Sequence, residues 1–200
     1  MQFYVLEFLM KRGMTMTAWR TGGLKGGALE SLIEETHLQY KRQGLGIIEK
    51  VPTSVKVTKI DKKGCVCEGY FEKKSTVDFV GLIQGIGVAF DAKETMNPSL
   101  PLQNIHTHQI EFMIHYEKQK GLAFIICHYK KVDRYFLIPI HIILEHIRIG
   151  KKSISYRAIP EVFELDYQYN GLLNYIPILN NYRMWKKEIN ADTKIEKEQQ

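Results

Sequence analysis

Residues 75–95 read STVDFVGLIQGIGVAFDAKET. Two apolar runs, Val77 to Ile83 and Val88 to Ala92, flank Gly85 and Gly87, as two strands joined by a turn would. Val88, Phe90 and Ala92 recur with period two and make an apolar face, which leaves Asp91 and Lys93 together on the other face. Asp78 stands on the preceding strand. Hydrolysing a phosphodiester near neutral pH requires charge neutralisation on the phosphate and a water made nucleophilic, and a divalent cation supplies both. Magnesium is held by only one or two carboxylates plus waters and substrate oxygens, a demand that two aspartates on neighbouring strands meet. Lys93 can orient or deprotonate the water, or stabilise the developing negative charge. A competing reading makes Asp78 a strand terminus and residues 91–94 a solvated edge with an ordinary salt bridge; the D…DxK spacing alone does not decide.

Outward from this hairpin, a Pro-bearing loop, Asn97 to Pro101, leads to a predicted helix from about Leu102 to Lys120. Leu102, Ile105, Phe112, Met113 and Tyr116 form its apolar stripe, and Gln109 falls on or beside it. A buried amide must find partners. Gln109 either caps sheet carbonyls or offers an oxygen to a metal or its water. Leu122 to His128 and Arg134 to Ile138 read as buried strands, and Ile140 to Ile147 as a short helix. Upstream, Leu29, Leu32, Ile33, Thr36 and Tyr40 mark a helix stopping near Gly44. Strands then follow at Ile47 to Val51, Val55 to Ile60 and Cys65 to Phe71, with a turn at Asp61 to Gly64. The pattern predicts an α/β protein with a mixed central sheet flanked by helices.

The 200 residues suit one domain with its own apolar core. Residues 1–25 read as a flexible arm, 26–184 as the domain, and the charged stretch 185–200 as a frayed or disordered tail. Lys plus Arg exceed Asp plus Glu by 28 to 22, a net charge of +6 that favours a polyanionic partner such as nucleic acid. Nine of the cations but only four acids lie between Lys41 and Lys74, a stretch that includes the predicted hairpin at about 52–74. Its lysines either track phosphates or blunt an exposed sheet edge. Cys65, Cys67 and Cys127 lack disulfide-framework or zinc-ribbon spacing, which fits a reducing cytoplasm. The apolar opening Met1 to Met10 is too short to span a bilayer.

KKSTVDFVG at 73–81, FDAKET at 90–95 and PLQNIHTHQIEFM at 101–113 together resemble, in order and spacing, the core of the RecU-type Holliday junction resolvases. These belong to the PD-(D/E)xK nuclease superfamily, with its restriction-endonuclease-like fold. The similarity also takes in LESLIEET at 29–36 and covers roughly 26–136. It implies an endonuclease that nicks four-way DNA junctions with Mg2+, or Mn2+, leaving 5′-phosphate and 3′-hydroxyl ends. By position, Thr76, Asp78, Asp91 and Gln109 would form the metal site, with Asp78, Asp91 and Lys93 catalytic. Glu30 is an accessory candidate, with a solvated helix surface as its alternative. The basic hairpin becomes a projecting stalk, with Lys56, Lys59, Lys62, Lys63, Lys73 and Lys74 on DNA. A homodimer is implied, with further partners among recombination proteins, a strand-exchange recombinase or a branch-migration motor. Two departures stand out: the family usually has Glu where this chain has Asp91, and the loop before Pro101 is one residue shorter.

His106 and His108 diverge if both lie on a helix, so a shared metal is not expected. Phe71, Phe79, Phe90 and Tyr70 fit strand packing. Arg148, Lys151, Lys152 and Arg157 extend the basic surface. The rivals are another PD-(D/E)xK endonuclease, of restriction or repair type, and a non-catalytic junction-binding regulator, which would have no need of Lys93 between its carboxylates.

Overall fold

The computed structural model describes residues 27–52, 55–71, 76–167 and 171–198. The expected arm at 1–25 and the DNA contacts assigned to Lys73 and Lys74 lie outside these residues. Helix α1 (Ala28–Arg42) is followed by β1 (Gly46–Lys50), β2 (Val55–Ile60), β3 (Val66–Phe71), β4 (Phe79–Ile83), β5 (Ile86–Thr95) and β6 (Ser99–Pro101). Then come α2 (Thr107–Lys118), β7 (Leu122–Tyr129), β8 (Arg134–Pro139), α3 (Ile140–Arg148), β9 (Ser153–Ser155), β10 (Glu164–Leu165) and α4 (Ile176–Glu198).

Six strands form one sheet in the order β1-β4-β5-β7-β8-β10. Only β5 and β7 run parallel, and a parallel pair needs a crossover, which α2 supplies. This is the mixed α/β sheet that the periodicity predicts. Its centre is a row of rings across three strands: Phe79 stacks on Phe90 at 5.1 Å, and Phe90 on Phe124 at 4.7 Å. The register pairs the same residues, so the row follows from sheet geometry. His37 of α1 meets Phe79 and Phe90 edge-on, which places α1 on the Phe90 face. Asp91, one residue on, points to the other face, where α2 lies.

The second predicted helix is broken. Leu102–Asn104 make a 3-10 turn, Ile105 and His106 are extended, and the α-helix begins at Thr107. Tertiary bonds outweigh local periodicity here: β6 pairs with β9, and Leu102 N–H donates to Lys152 O at 2.9 Å. The stretch expected to fray is helical through Glu198. Leu179 and Tyr182 are buried and Trp185 packs on the core, so a docked first half can propagate helix into Lys- and Glu-rich sequence.

Strands β2 and β3 form their own two-stranded sheet, exposed throughout Val55–Tyr70. Asp61 closes its turn, accepting N–H bonds from Lys63 at 2.8 Å and Cys65 at 2.9 Å. This is the expected projecting hairpin, but its apolar side chains are uncovered: Tyr70, expected in strand packing, is 53% exposed. No helix among the described residues is long and apolar enough to cross a membrane.

Candidate active site

Strand β4 begins at Phe79, opposite Phe90, so one residue earlier Asp78 stands across from Asp91. Two bonds hold it there. Val51 N–H donates to its carbonyl at 2.8 Å, and Ala92 N–H to its Oδ2 at 2.9 Å. Asp91 is fully buried. Burial, and then the charge of Asp91, push the Asp78 carboxyl up to about 6. The two carboxylates therefore form a coupled pair in which one negative charge opposes the other.

Gln109 Nε2 donates to Asp91 Oδ1 at 2.9 Å, while Gln109 Oε1 accepts the His106 N–H at 3.0 Å. The orientation of the amide is dictated by these partners. An N–H faces one end and a carboxylate the other, so a flipped amide would set like poles together at both. Gln109 thus presents its NH2 to Asp91. The broken helix makes this possible, because only an extended His106 aims its N–H at the side chain three residues on.

Asp91 Oδ2 is buried and accepts no hydrogen bond among the described residues; the Lys93 ammonium meets it as an ion pair. Lys93 is on the same strand face, as period two requires, and its side chain is 20% exposed. A buried carboxylate oxygen met by a lysine ammonium and a neighbouring carboxyl with a raised pKa fit a hard divalent cation, which would offset the charge of both aspartates. Among the described residues, no group of three or more His, Cys, Asp or Glu could hold a metal ion.

The remaining expected residues divide. Thr76 is exposed on the bend two residues before Asp78. Glu30 is engaged elsewhere, paired with Lys50 at 2.8 Å, and Lys50 also binds Glu34 at 2.5 Å. Lys50, which sequence reasoning missed, precedes Val51 and so ties α1 to the backbone that holds Asp78. Its signal was available, since Glu30 and Glu34 are one helical turn apart and ask for a shared cation. Glu94 points away from Lys93 and binds Lys130 at 3.0 Å. His106 and His108 stack with centroids 5.4 Å apart, contrary to the expected divergence, because His106 precedes the helix. Lys56, Lys59, Lys62 and Lys63 are all exposed on the stalk, and Lys59 pairs with Glu68 at 3.2 Å.

A mixed sheet carrying an aspartate at the start of one strand and Asp-x-Lys on its neighbour is the arrangement expected of the PD-(D/E)xK nucleases. The family model described as RecU, Recombination protein U, matches residues 24–181. The Holliday junction resolvase RecU of Staphylococcus epidermidis is 35% identical over 164 residues, covering 77% of this chain and 79% of the relative. The one from Leuconostoc citreum is 33% identical over 182 residues, or 86% and 88% of the two chains. The chain belongs to the RecU family. Among solved structures, Archaeoglobus fulgidus Hjc, a Holliday junction resolvase, matches 64% of this chain and 88% of its own at 11% identity and a TM-score of 0.39, a likeness too slight to bear on function.

Proposed function

We propose that this protein is a Holliday junction resolvase, an endonuclease that hydrolyses phosphodiesters in strands opposed across a four-way DNA junction. The observation that carries the reading is the Asp78–Asp91 pair with Lys93 on the same face, in a chain of the RecU family. Asp78 and Asp91 would hold Mg2+, or Mn2+, with Thr76 at the rim. When bound, the cation neutralises phosphate charge and lowers the pKa of a water. Gln109 acts through Asp91: by donating to Oδ1 it leaves Oδ2 to Lys93 and would leave it available to a cation. Lys93 presents its ammonium where the scissile phosphate must lie, and stabilises the charge that develops on its oxygens. Ala92 N–H keeps Asp78 from rotating away.

One chain carries one such constellation, whereas paired cuts require two, so the active form is a two-fold homodimer matching the junction's symmetry. The exposed stalk, with Lys56, Lys59, Lys62 and Lys63, suits the open centre of a junction, where shape and phosphates are recognised. The products carry 5′-phosphate and 3′-hydroxyl ends, and the site of action is the cytoplasm. The test is a labelled four-way junction beside a linear duplex, each with Mg2+ or with EDTA. Symmetric nicks in the junction alone, dependent on Mg2+, support the reading. Equal cutting of linear duplex favours a restriction- or repair-type nuclease, and binding without cutting favours a regulator. Wild-type chains mixed with Asp78→Asn chains should accumulate junctions nicked in one strand.

A further inference from the structure

At the end of β5 remote from the aspartates, the β4–β5 turn, the C-terminal turn of α2 and the face of α4 enclose a cleft of about 840 Å3. Lys120, Arg183, Lys186 and Lys187 line it. Lys186 is paired with Glu117 and donates to Gly121 O at 3.0 Å. Glu117 is held by Ala123 N–H at 2.8 Å and by the Tyr182 hydroxyl at 2.7 Å, so it stays with Lys186. Lys120, Arg183 and Lys187 are exposed and have no ion pair among the described residues. Three uncompensated cations at one concavity repel one another and attract an extended anion.

We propose that this cleft receives the phosphodiester backbone of a DNA arm, a second contact remote from the cutting site; the proposal rests on the junction-resolvase reading. An open cleft with cations from separate elements suits a backbone laid across it better than it suits a small enclosed ligand. A second copy of the chain is a poor occupant, because a two-fold contact would set the same cations against each other. Helix α2 links the two places: Gln109 on its first turn touches Asp91, and Lys120 follows its last. At 1.5 Å per residue that separation is about 16 Å, or about five base pairs of B-form DNA at 3.4 Å each. An arm seated in the cleft would thereby set the angle at which the strand reaches Asp78 and Asp91.

The experiment combines Lys120→Gln, Arg183→Gln and Lys187→Gln on an Asp78→Asn background, which prevents cutting. Anisotropy with a labelled four-way junction is followed from low to high salt. Freeing two or three phosphates from the cleft should flatten the slope of log K against log salt by about 2–3, and Lys120→Arg with Lys187→Arg should keep it. With Asp78 intact, the triple variant should cut poorly at low junction concentration and normally at saturation. An unchanged slope, with circular dichroism showing an intact fold, overturns the proposal. So does binding of poly-glutamate that is lost in the triple variant while junction binding is not, which would make the cleft a site for acidic protein. If the Asp78→Asn parent itself binds no junction, the resolvase reading fails and the cleft's role fails with it.

Discussion

Asp78 stands across from Asp91 one residue beyond the Phe79–Phe90 pair, its Oδ2 fixed by the Ala92 N–H at 2.9 Å. The sheet register forces a half-buried carboxylate, Asp78, against a fully buried one, Asp91. Their repulsion is a cost to the metal-free fold, one that the proposed cation would relieve.

Asp78→Asn should therefore abolish cleavage, leave junction binding near normal and stabilise the metal-free protein. The folded carboxyl titrates near 6 against 3.8 when unexposed to these neighbours. A raised folded pKa means that the fold holds its proton more tightly than the unfolded chain, so this group's contribution falls as pH rises from about 4 to 6. In EDTA at pH 8 the variant should gain something on the order of 1–3 kcal/mol, vanishing near pH 4. Thermal melts at both pH values, with and without Mg2+, check this; a destabilised variant at pH 8 would remove the repulsion argument.

Lys93→Ala removes a cation whose ammonium meets Asp91 at the proposed phosphate position. Single-turnover cutting should slow by about 10²- to 10³-fold, the range for removal of one transition-state donor, with junction affinity unchanged. Weaker affinity with an unchanged rate at saturation would instead make Lys93 a phosphate anchor.

Gln109 separates positioning from ligation. Gln109→Ala strips partners from Asp91 Oδ1 and from the His106 N–H, so it should cost about 1–3 kcal/mol in denaturant unfolding and weaken Mg2+ binding. Gln109→Glu would keep an acceptor for His106 but set a third carboxylate against Asp91. It should bind Mg2+ worse than wild type if Gln109 acts through Asp91, and as well or better if the side chain at 109 is itself a ligand.

His37 predicts acid sensitivity of opposite sign to Asp78. It is buried beneath Phe79 and Phe90, 2.8 Å from the Tyr175 hydroxyl, and burial lowers its pKa from 6.5 to about 3. Below pH 6.5 the unfolded chain takes up a proton that the fold refuses, so stability falls as pH drops from 6.5 toward 3. The loss should reach a few kcal/mol, on the order of 3–5 from the size of the shift. His37→Gln, which cannot protonate, should flatten the pH dependence of urea midpoints across that window. The same pH dependence of the midpoint in wild type and in His37→Gln would contradict it.

The stalk prediction is electrostatic. Replacing Lys56, Lys59, Lys62 and Lys63 by Gln should weaken junction binding and lower its salt slope by roughly 0.9 for every phosphate no longer neutralised. Because Lys59 already pairs with Glu68, its share should be the smallest in single variants. Equal shares, or no change in slope, would place the junction on another surface.

Much of this molecule was legible as sequence where a local rule acts alone. Val88, Phe90 and Ala92 alternate with Asp91 and Lys93, so period two by itself puts the carboxylate and ammonium on one face. The glycines at 85 and 87 mark the turn, and the cluster of lysines marks the stalk. What sequence could not show was decided by long-range pairing. Pairing of β6 with β9 breaks the predicted helix before Thr107. That break puts His106 beside His108, turns its N–H onto Gln109, and commits the Gln109 amide to Asp91. Lys50 likewise claims Glu30 only because β1 passes beneath α1. Docking of Tyr182 and Trp185 carries α4 through a composition that reads as tail. Strand faces follow from geometry repeated every two residues, whereas the partner of a buried amide or carboxylate depends on which distant backbone arrives beside it. Only the folded chain brings those groups together.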